Sequence, residues 1–146
     1  MAKIQGIAFL DIMIDTFHAK GINHFILSVG YLSDVIINHF TGKYTDIRIS
    51  FSVEHEALGT RGAIRLAMTK LQGEHALILN GDSLFDVDLN ALNLFGSLDT
   101  PILFGRFVHD VSRYGHFIFN GNQIQQYAEK GGNRVHCRLF QHIAVS

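Results

Sequence analysis

The chain has 146 residues, of which 47% are hydrophobic, and this composition suits one domain with a substantial core and excludes a disordered protein. A formal net charge of -1, with 12 Lys and Arg scattered along the chain, offers no positive surface for nucleic acid. Asp11 and Asp15 interrupt the first apolar region, so we expect neither a signal peptide nor a membrane span. The single cysteine, Cys137, favours the cytoplasm, and no zinc site is expected because neither His-x-x-x-His nor Cys-x-x-Cys occurs.

Residues 1–53 show alternating helix and strand patterns. Apolar residues at helical spacing over 9–17, followed by Lys20-Gly21, predict a helix with a glycine stop. The apolar segment 25–29 is typical of a buried strand, and Ser33 begins a second helix that runs to Phe40. Alternating apolar and polar residues over 47–53 predict a strand with one solvated face, at or near a sheet edge.

The second half continues the alternation before it changes character. Residues 59–62 form a glycine-bearing turn into a helix that ends near Gly73, and a strand over 76–80 follows. Asp88 caps a helix to Phe95, and residues 101–106 form the next strand. This order predicts an α/β fold with parallel strands. Asn120-Gly121 then signals a C-terminal β-hairpin, and residues 131–146 show no clear period and stay unassigned.

Asp82 ends the apolar run Leu77-Ile78-Leu79, at the carboxyl end of a predicted strand. Ligands collect at that edge of an α/β sheet, because a strand buried on both faces carries no charge along its length. A carboxylate there is suited to hold Mg²⁺ against phosphate oxygens. Asn-Gly-Asp-Ser is also ordinary turn chemistry, so the residues alone leave open a metal ligand and a turn cap.

Six short motifs follow one another in a definite order up to about Gly132. They are Phe9-Leu10-Asp11, Ile26-Leu27-Ser28-Val29-Gly30-Tyr31, the segment from Glu54 to Ile64, Leu79-Asn80-Gly81-Asp82, Tyr114-Gly115 and Glu129-Lys130. This ordered set resembles the sugar-phosphate nucleotidyltransferases, most of all the heptose 1-phosphate and mannose 1-phosphate guanylyltransferases. The resemblance implies a three-layer, Rossmann-like α/β fold of the nucleotide-diphospho-sugar transferase type, with a mainly parallel sheet.

Such enzymes join the phosphate of a sugar 1-phosphate to the α-phosphorus of a nucleoside triphosphate and release pyrophosphate. The protein contributes in-line positioning and neutralises phosphate charge, for which Mg²⁺ and basic side chains are suited. The resemblance therefore implies GTP and a sugar 1-phosphate as substrates and Mg²⁺ as cofactor. It assigns catalytic roles to Asp82, which would bind the metal, and to Lys130.

The resemblance also implies which residues contact the nucleotide. Leu58, Gly59 and Thr60 would lie under the base, because glycine lets main-chain groups approach a flat ring, and Gly81 would belong to the same site. The alternative is a simple helix start, with Thr60 as cap and Gly62 easing packing against the sheet. Arg61 departs from the family, where a small residue is usual, and its guanidinium could crowd the base or contact phosphate.

The sugar 1-phosphate would be held by later residues. Tyr114 and Gly115 would border the sugar, Glu129 would accept hydrogen bonds from its hydroxyls, and Lys130 would bind its phosphate. The alternative for Glu129 and Lys130 is a solvated surface pair at the end of a hairpin strand.

The resemblance also shows what is missing from the chain. The family begins with a strand and a glycine-rich triphosphate loop, and Met1 to Gly6 align just beyond that loop. After Lys130 the family pattern is lost. We therefore expect a partial nucleotidyltransferase domain over 1–132 and an unassigned tail over 133–146, and we interpret the chain as a remnant of a longer enzyme whose tail comes from a shifted reading frame.

Three hypotheses remain from the sequence. The chain is an enzyme of this family, or it is a non-catalytic nucleotide-binding or interaction module derived from it. In the second case it could associate with itself or with a full-length homologue that covers its open sheet edges. A flavodoxin-like or receiver-type domain also fits the alternation of helices and strands, but it explains neither Leu58-Gly59-Thr60 nor Glu129-Lys130.

Overall fold

The computed structural model describes residues 2–84, 86–90, 102–107, 116–120, 123–128 and 137–145. The chain divides into two compact units, residues 1–74 and residues 75–146. In these ranges no helix has the length and hydropathy that crossing a membrane requires.

The first unit contains four strands and three helices. Their bounds are β1 Lys3–Ile4, β2 Ile7–Ala8, α1 Phe9–His18, β3 His24–Val29, α2 Ser33–Phe40, β4 Arg48–Val53 and α3 Gly59–Met68. The predicted helices over 9–17 and 33–40 and the predicted strands over 25–29 and 47–53 are confirmed. Gly21 also ends α1 as predicted, since its φ of +93° lies in the left-handed region that glycine enters without strain.

Strands β3 and β4 pair in parallel, with His24 opposite Arg48 and Val29 opposite Val53. Ile49 and Phe51 of β4 pack against a core cluster that contains Ile14 of α1. Helix α3 contacts both strands. The parallel pairing places the carboxyl ends of β3 and β4 side by side.

Two burial predictions for these strands were wrong. Ser52 lies on the face of β4 that we expected to be solvated, yet it is fully buried, and its Oγ has no hydrogen-bond partner within the described ranges. The alternation of β4 reflects two covered faces, because α3 contacts this pair of strands. In β3 only Val29 is fully buried. Within the described ranges β3 pairs with one strand, β4.

A polar stripe on α1 joins this helix to α2 and to the segment that follows it. Asp11 is 5% exposed, and its carboxylate accepts hydrogen bonds from His39 Nε2 at 2.9 Å and from Lys43 Nζ at 2.5 Å. Burial by itself raises the pKa of Asp11, but the hydrogen bonds and charges of Lys43 and His39 outweigh it and hold the pKa below its ordinary value.

Two more contacts extend the stripe along the same face of α1. The Tyr44 hydroxyl donates to Asp15 Oδ1 at 2.9 Å, and His18 Nε2 lies 2.9 Å from Asp46 Oδ2. Residues 11, 15 and 18 are spaced four and three apart, which places them on one helix face. Their partners all lie between the second half of α2 and the start of β4, so this connection is fixed to α1 at three points.

We expect Asp11→Asn to lower the free energy of unfolding by about 2 kcal/mol at pH 7, because an amide cannot supply the charge that Lys43 and His39 face. The folded pKa of Asp11 is depressed, so its contribution is present above the ordinary pKa of 3.8 and is lost as the pH falls through the folded value. Urea unfolding of both proteins between pH 7 and pH 2.5 measures this. Asp15→Asn on the same helix is the control, because Asp15 is exposed. Equal losses in the two variants would contradict the prediction.

The second unit is built around a strand that the sequence did not reveal. Its strands are β5 Ala76–Leu77, β6 Ile102–Phe107, β7 His116–Asn120, β8 Gln123–Ala128 and β9 Cys137–Val145. Strand β9 pairs antiparallel with β5, β6 and β7. Leu103 of β6 pairs with Ile143, but Gly105 pairs with Leu139, so β9 has extra residues that form a bulge. The bulge interrupts the alternation of apolar and polar residues by which a strand is recognised in the sequence.

Of the other predicted strands of this unit, the hairpin and the strand over 101–106 are confirmed within the described ranges, and the strand over 76–80 is shorter than predicted. Strands β7 and β8 form the predicted antiparallel hairpin, with Asn120 opposite Gln123. Strand β6 matches the predicted strand over 101–106, whereas β5 is two residues long and ends before the predicted Asn80. The Asp88 carboxylate accepts a hydrogen bond from the Asn90 N–H at 2.9 Å, as a cap does, and the remaining residues of that predicted helix lie outside the described ranges.

Candidate functional site

The segment Leu58-Gly59-Thr60 forms the start of α3. We predicted a turn over 59–62 before the helix, but α3 begins at Gly59, with Leu58 as its N-cap. Thr60 therefore lies inside the first turn and is not the cap, so that alternative was wrong in this detail. Gly59 has a φ of +67°, a left-handed conformation that disfavours any residue with a Cβ.

Gly62 is needed because Leu58 folds back against the first turn of α3. A Cβ placed on Gly62 would lie 2.6 Å from Leu58 Cβ, well inside van der Waals contact. The alternative interpretation had Gly62 easing packing against the sheet, and it was wrong about the partner, because the nearest atoms that such a Cβ would meet all belong to Leu58. Glycine is thus required at position 59 for its backbone conformation and at position 62 for space.

Glu54 ties this segment to the sheet. Its carboxylate accepts a hydrogen bond from the Leu58 N–H at 3.3 Å through Oε2 and from the Ser28 hydroxyl at 3.2 Å through Oε1. Its own N–H donates to the Val29 carbonyl at 2.8 Å, which extends the pairing of β3 and β4. We gave Glu54 no role from the sequence. The signal was a carboxylate directly after a strand and five residues before Gly59, close to a helix start, where negative charge is favourable.

A cleft of about 460 Å³ adjoins the segment through Leu58. Its lining includes the apolar side chains Phe51, Val53 and Leu66 and the polar or charged side chains His55, Glu56 and Lys70. Gly59 and Thr60 do not line it. The cleft therefore borders the predicted base-binding segment on one side and does not contain it.

Gly81 and Asp82 form a turn in the second unit. Asp82 is exposed, and Oδ1 accepts a hydrogen bond from the Ser83 hydroxyl at 3.0 Å. Oδ2 has no partner within the described part of the chain, so it is free to bind a cation. In that same part no group of three or more His, Cys, Asp or Glu side chains could hold a metal. A cation at Asp82 would take its other oxygens from water or substrate, as Mg²⁺ commonly does.

Four predicted site residues lie outside the described residues: Tyr114, Gly115, Glu129 and Lys130. They adjoin described residues in the sequence, because β7 begins at His116 and β8 ends at Ala128. His116 and Ala128 pair with each other. Leu58, Gly59 and Thr60 thus lie in the first unit, and Gly81 and Asp82 lie in the second.

A family model of nucleotidyl transferases matches residues 3–136. The chain belongs to the nucleotidyl transferase family. This confirms the family resemblance that the ordered motifs indicated.

Curated relatives of this nucleotidyl transferase include two enzymes named D-glycero-alpha-D-manno-heptose 1-phosphate guanylyltransferase. The one from Aneurinibacillus thermoaerophilus is 34% identical over 134 residues, covering 90% of this chain and 58% of the relative. The one from Campylobacter jejuni is 37% identical over 115 residues, covering 79% of this chain and 51% of the relative. The chain thus spans somewhat more than half the length of these relatives.

Solved structures support the fold. A crystal structure of HddC from Yersinia pseudotuberculosis aligns with a TM-score of 0.90 at 26% identity, covering 100% of this chain and 66% of that one. Another structure of HddC, in complex with GMP-PN, aligns with a TM-score of 0.89. At 14% identity, a putative glucose-1-phosphate thymidylyltransferase from Bacillus anthracis shares the fold, with a TM-score of 0.81. The predicted Rossmann-like α/β class, of the nucleotide-diphospho-sugar transferase type, is confirmed.

We expect Gly62→Ala to lower the free energy of unfolding by about 1–2 kcal/mol, although alanine is the better helix former, because the new methyl group displaces Leu58. Gly30→Ala is a matched control, since a Cβ there would meet its nearest atom, Glu54 Cβ, at an ordinary 3.9 Å. Urea unfolding compares the two variants with the parent. A stabilised Gly62→Ala protein would contradict the close contact with Leu58.

Proposed function

We propose that this chain carries the nucleotide-binding part of a sugar 1-phosphate guanylyltransferase, which transfers GMP from GTP to a sugar 1-phosphate and releases pyrophosphate. The observation that carries this proposal is the backbone conformation of Leu58-Gly59-Thr60. Gly59 adopts a left-handed φ, Gly62 leaves room for Leu58, and the Glu54 carboxylate accepts a hydrogen bond from the Leu58 N–H. Glycine at Gly59 leaves main-chain groups open to a flat base. The names of the relatives and the GMP-PN complex of HddC support a guanine nucleotide.

The proposed roles of the other residues follow from their chemistry. Asp82 would hold Mg²⁺, which neutralises phosphate charge when bound, and its exposed carboxylate with one free oxygen fits that task. Gly81 would belong to the nucleotide site. We assign the sugar 1-phosphate to Tyr114, Gly115, Glu129 and Lys130, and catalysis to Asp82 and Lys130.

A second candidate function is a nucleotide-binding or interaction module without turnover of its own. The start of α3, which would hold the nucleotide, lies in the first unit, whereas Asp82, to which catalysis is assigned, lies in the second. In this case the chain would associate with a second copy or with a full-length homologue. Both functions place nucleotide at the Leu58-Gly59-Thr60 segment, and they differ in whether pyrophosphate is released.

The purified chain is mixed with GTP, Mg²⁺ and either mannose 1-phosphate or a heptose 1-phosphate, and pyrophosphate release is measured. We expect release that falls at least about 100-fold in Asp82→Asn, because phosphate charge is no longer neutralised. Asp34→Asn on α2 is the control, since Asp34 is also exposed. GTP binding without release would support the module. Absence of both binding and release would overturn the proposed function.

A variant of Arg61 tests whether this side chain contacts the nucleotide. Its side chain is exposed in the first turn of α3, a helix with no acidic residue in that turn. We propose that it contacts a phosphate, and we expect Arg61→Ala to weaken GTP binding by about 3- to 10-fold, an exposed charge-assisted hydrogen bond being of this order. Arg65→Ala removes the same charge one turn later and should leave binding unchanged. Tighter binding by Arg61→Ala would instead show that the guanidinium crowds the base.

A further inference from the structure

Ser28 and Glu54 form a bridge between the sheet and the start of α3. The Ser28 hydroxyl donates to Glu54 Oε1 at 3.2 Å, and the Leu58 N–H donates to Glu54 Oε2 at 3.3 Å. One carboxylate therefore connects the end of β3 to the residue before Gly59.

The strand register explains why these groups meet. Ser28 lies opposite Ser52 in the parallel pair, and Glu54 is two residues beyond Ser52, so all three project from the same face. The hydrogen bond from the Glu54 N–H to the Val29 carbonyl, at 2.8 Å, holds the backbone of Glu54 against β3. The side chain starts from a fixed point and reaches Ser28 and Leu58 with separate oxygens.

The chemistry of the bridge favours one arrangement. An ionised carboxylate only accepts hydrogen bonds, so Glu54 needs donors on both sides, and a hydroxyl and a backbone N–H supply them. Leu58 has no side-chain cap to offer the helix, and its own N–H is held by Glu54. Loss of the Ser28 donor would free one side of the carboxylate to rotate away from Leu58.

We propose that Ser28 and Glu54 are positioning residues that set the conformation of Leu58-Gly59-Thr60 for the nucleotide. This inference rests on the proposed function. Ser28 acts through Glu54, and Glu54 acts through the main chain of Leu58. Gly59 itself adopts a left-handed conformation, and the Ser28–Glu54 bridge selects it from the conformations that a glycine allows.

The test compares serine variants of the same sheet face. Ser28→Ala removes the bridging donor, and Ser28→Thr keeps a hydroxyl. Ser50→Ala is the matched control, because Ser50 lies on the same face of the neighbouring strand but its hydroxyl is 3.0 Å from His24 Nε2. Glu54→Leu is a second variant, since its side chain offers no acceptor to either donor. Circular dichroism and urea unfolding establish that each protein is folded.

Two measurements are made on each protein: hydrogen–deuterium exchange of the amides of residues 58–62 without ligand, and calorimetric titration with GTP and with the sugar 1-phosphate. We expect Ser28→Ala and Glu54→Leu to speed exchange at Leu58 and to weaken GTP binding by at least about 3- to 10-fold, as loss of one exposed hydrogen bond implies. Binding of the sugar 1-phosphate should be unchanged. Ser28→Thr should restore the parent values, and Ser50→Ala should match them.

Unchanged exchange at Leu58 in both bridge variants would overturn the inference whether or not GTP binds. Equal weakening of both ligands, or equal effects of Ser28→Ala and Ser50→Ala, would overturn it too, since a general structural role predicts those results. If the parent protein binds no GTP, the proposed function fails by itself, and the exchange data still decide whether the bridge holds the segment.

Discussion

The parallel pairing of β3 and β4 is the constraint on which the rest of the first unit depends. Parallel strands end at the same edge, so Ser28 and Val29 of β3 meet Glu54, which directly follows β4. From this edge the chain has four residues in which to reach α3. The distance is short enough for the Glu54 side chain to span it and bond to Leu58. The candidate nucleotide segment is therefore positioned by main-chain pairing first and by side chains second.

The segment itself combines rigidity with an open backbone. Leu58 folds onto Gly62, where a Cβ would lie 2.6 Å from Leu58 Cβ, while Gly59 takes a conformation that side chains disfavour. A motif that looks like a flexible, glycine-rich turn is in fact the first turn of a helix. This explains how a short stretch can combine two glycines with a definite shape, which a site that recognises a flat base requires.

The sequence predicted elements whose patterns are local. Helices α1 and α2 followed from spacing and from the Gly21 stop, and the β7–β8 hairpin from Asn120-Gly121. Strand β9 could not be found, because its bulge opposite β6 breaks the alternation on which strand prediction depends. The burial of Ser52 depends on α3, and the role of Glu54 on strand register, so neither can be derived from neighbours in the sequence. Among the site residues, the motif identified Leu58, Gly59 and Thr60 by resemblance, and their roles stay predictions.

The three contacts of α1 with the segment after α2 make the length of that connection part of the fold. Lys43, Tyr44 and Asp46 each meet a partner one helical turn further along α1, so the segment runs beside the helix in a matched register. An added or deleted residue in this segment would move several of these side chains away from their partners on α1 at once. Natural variation in this region should accordingly change side chains in pairs and preserve the spacing between them.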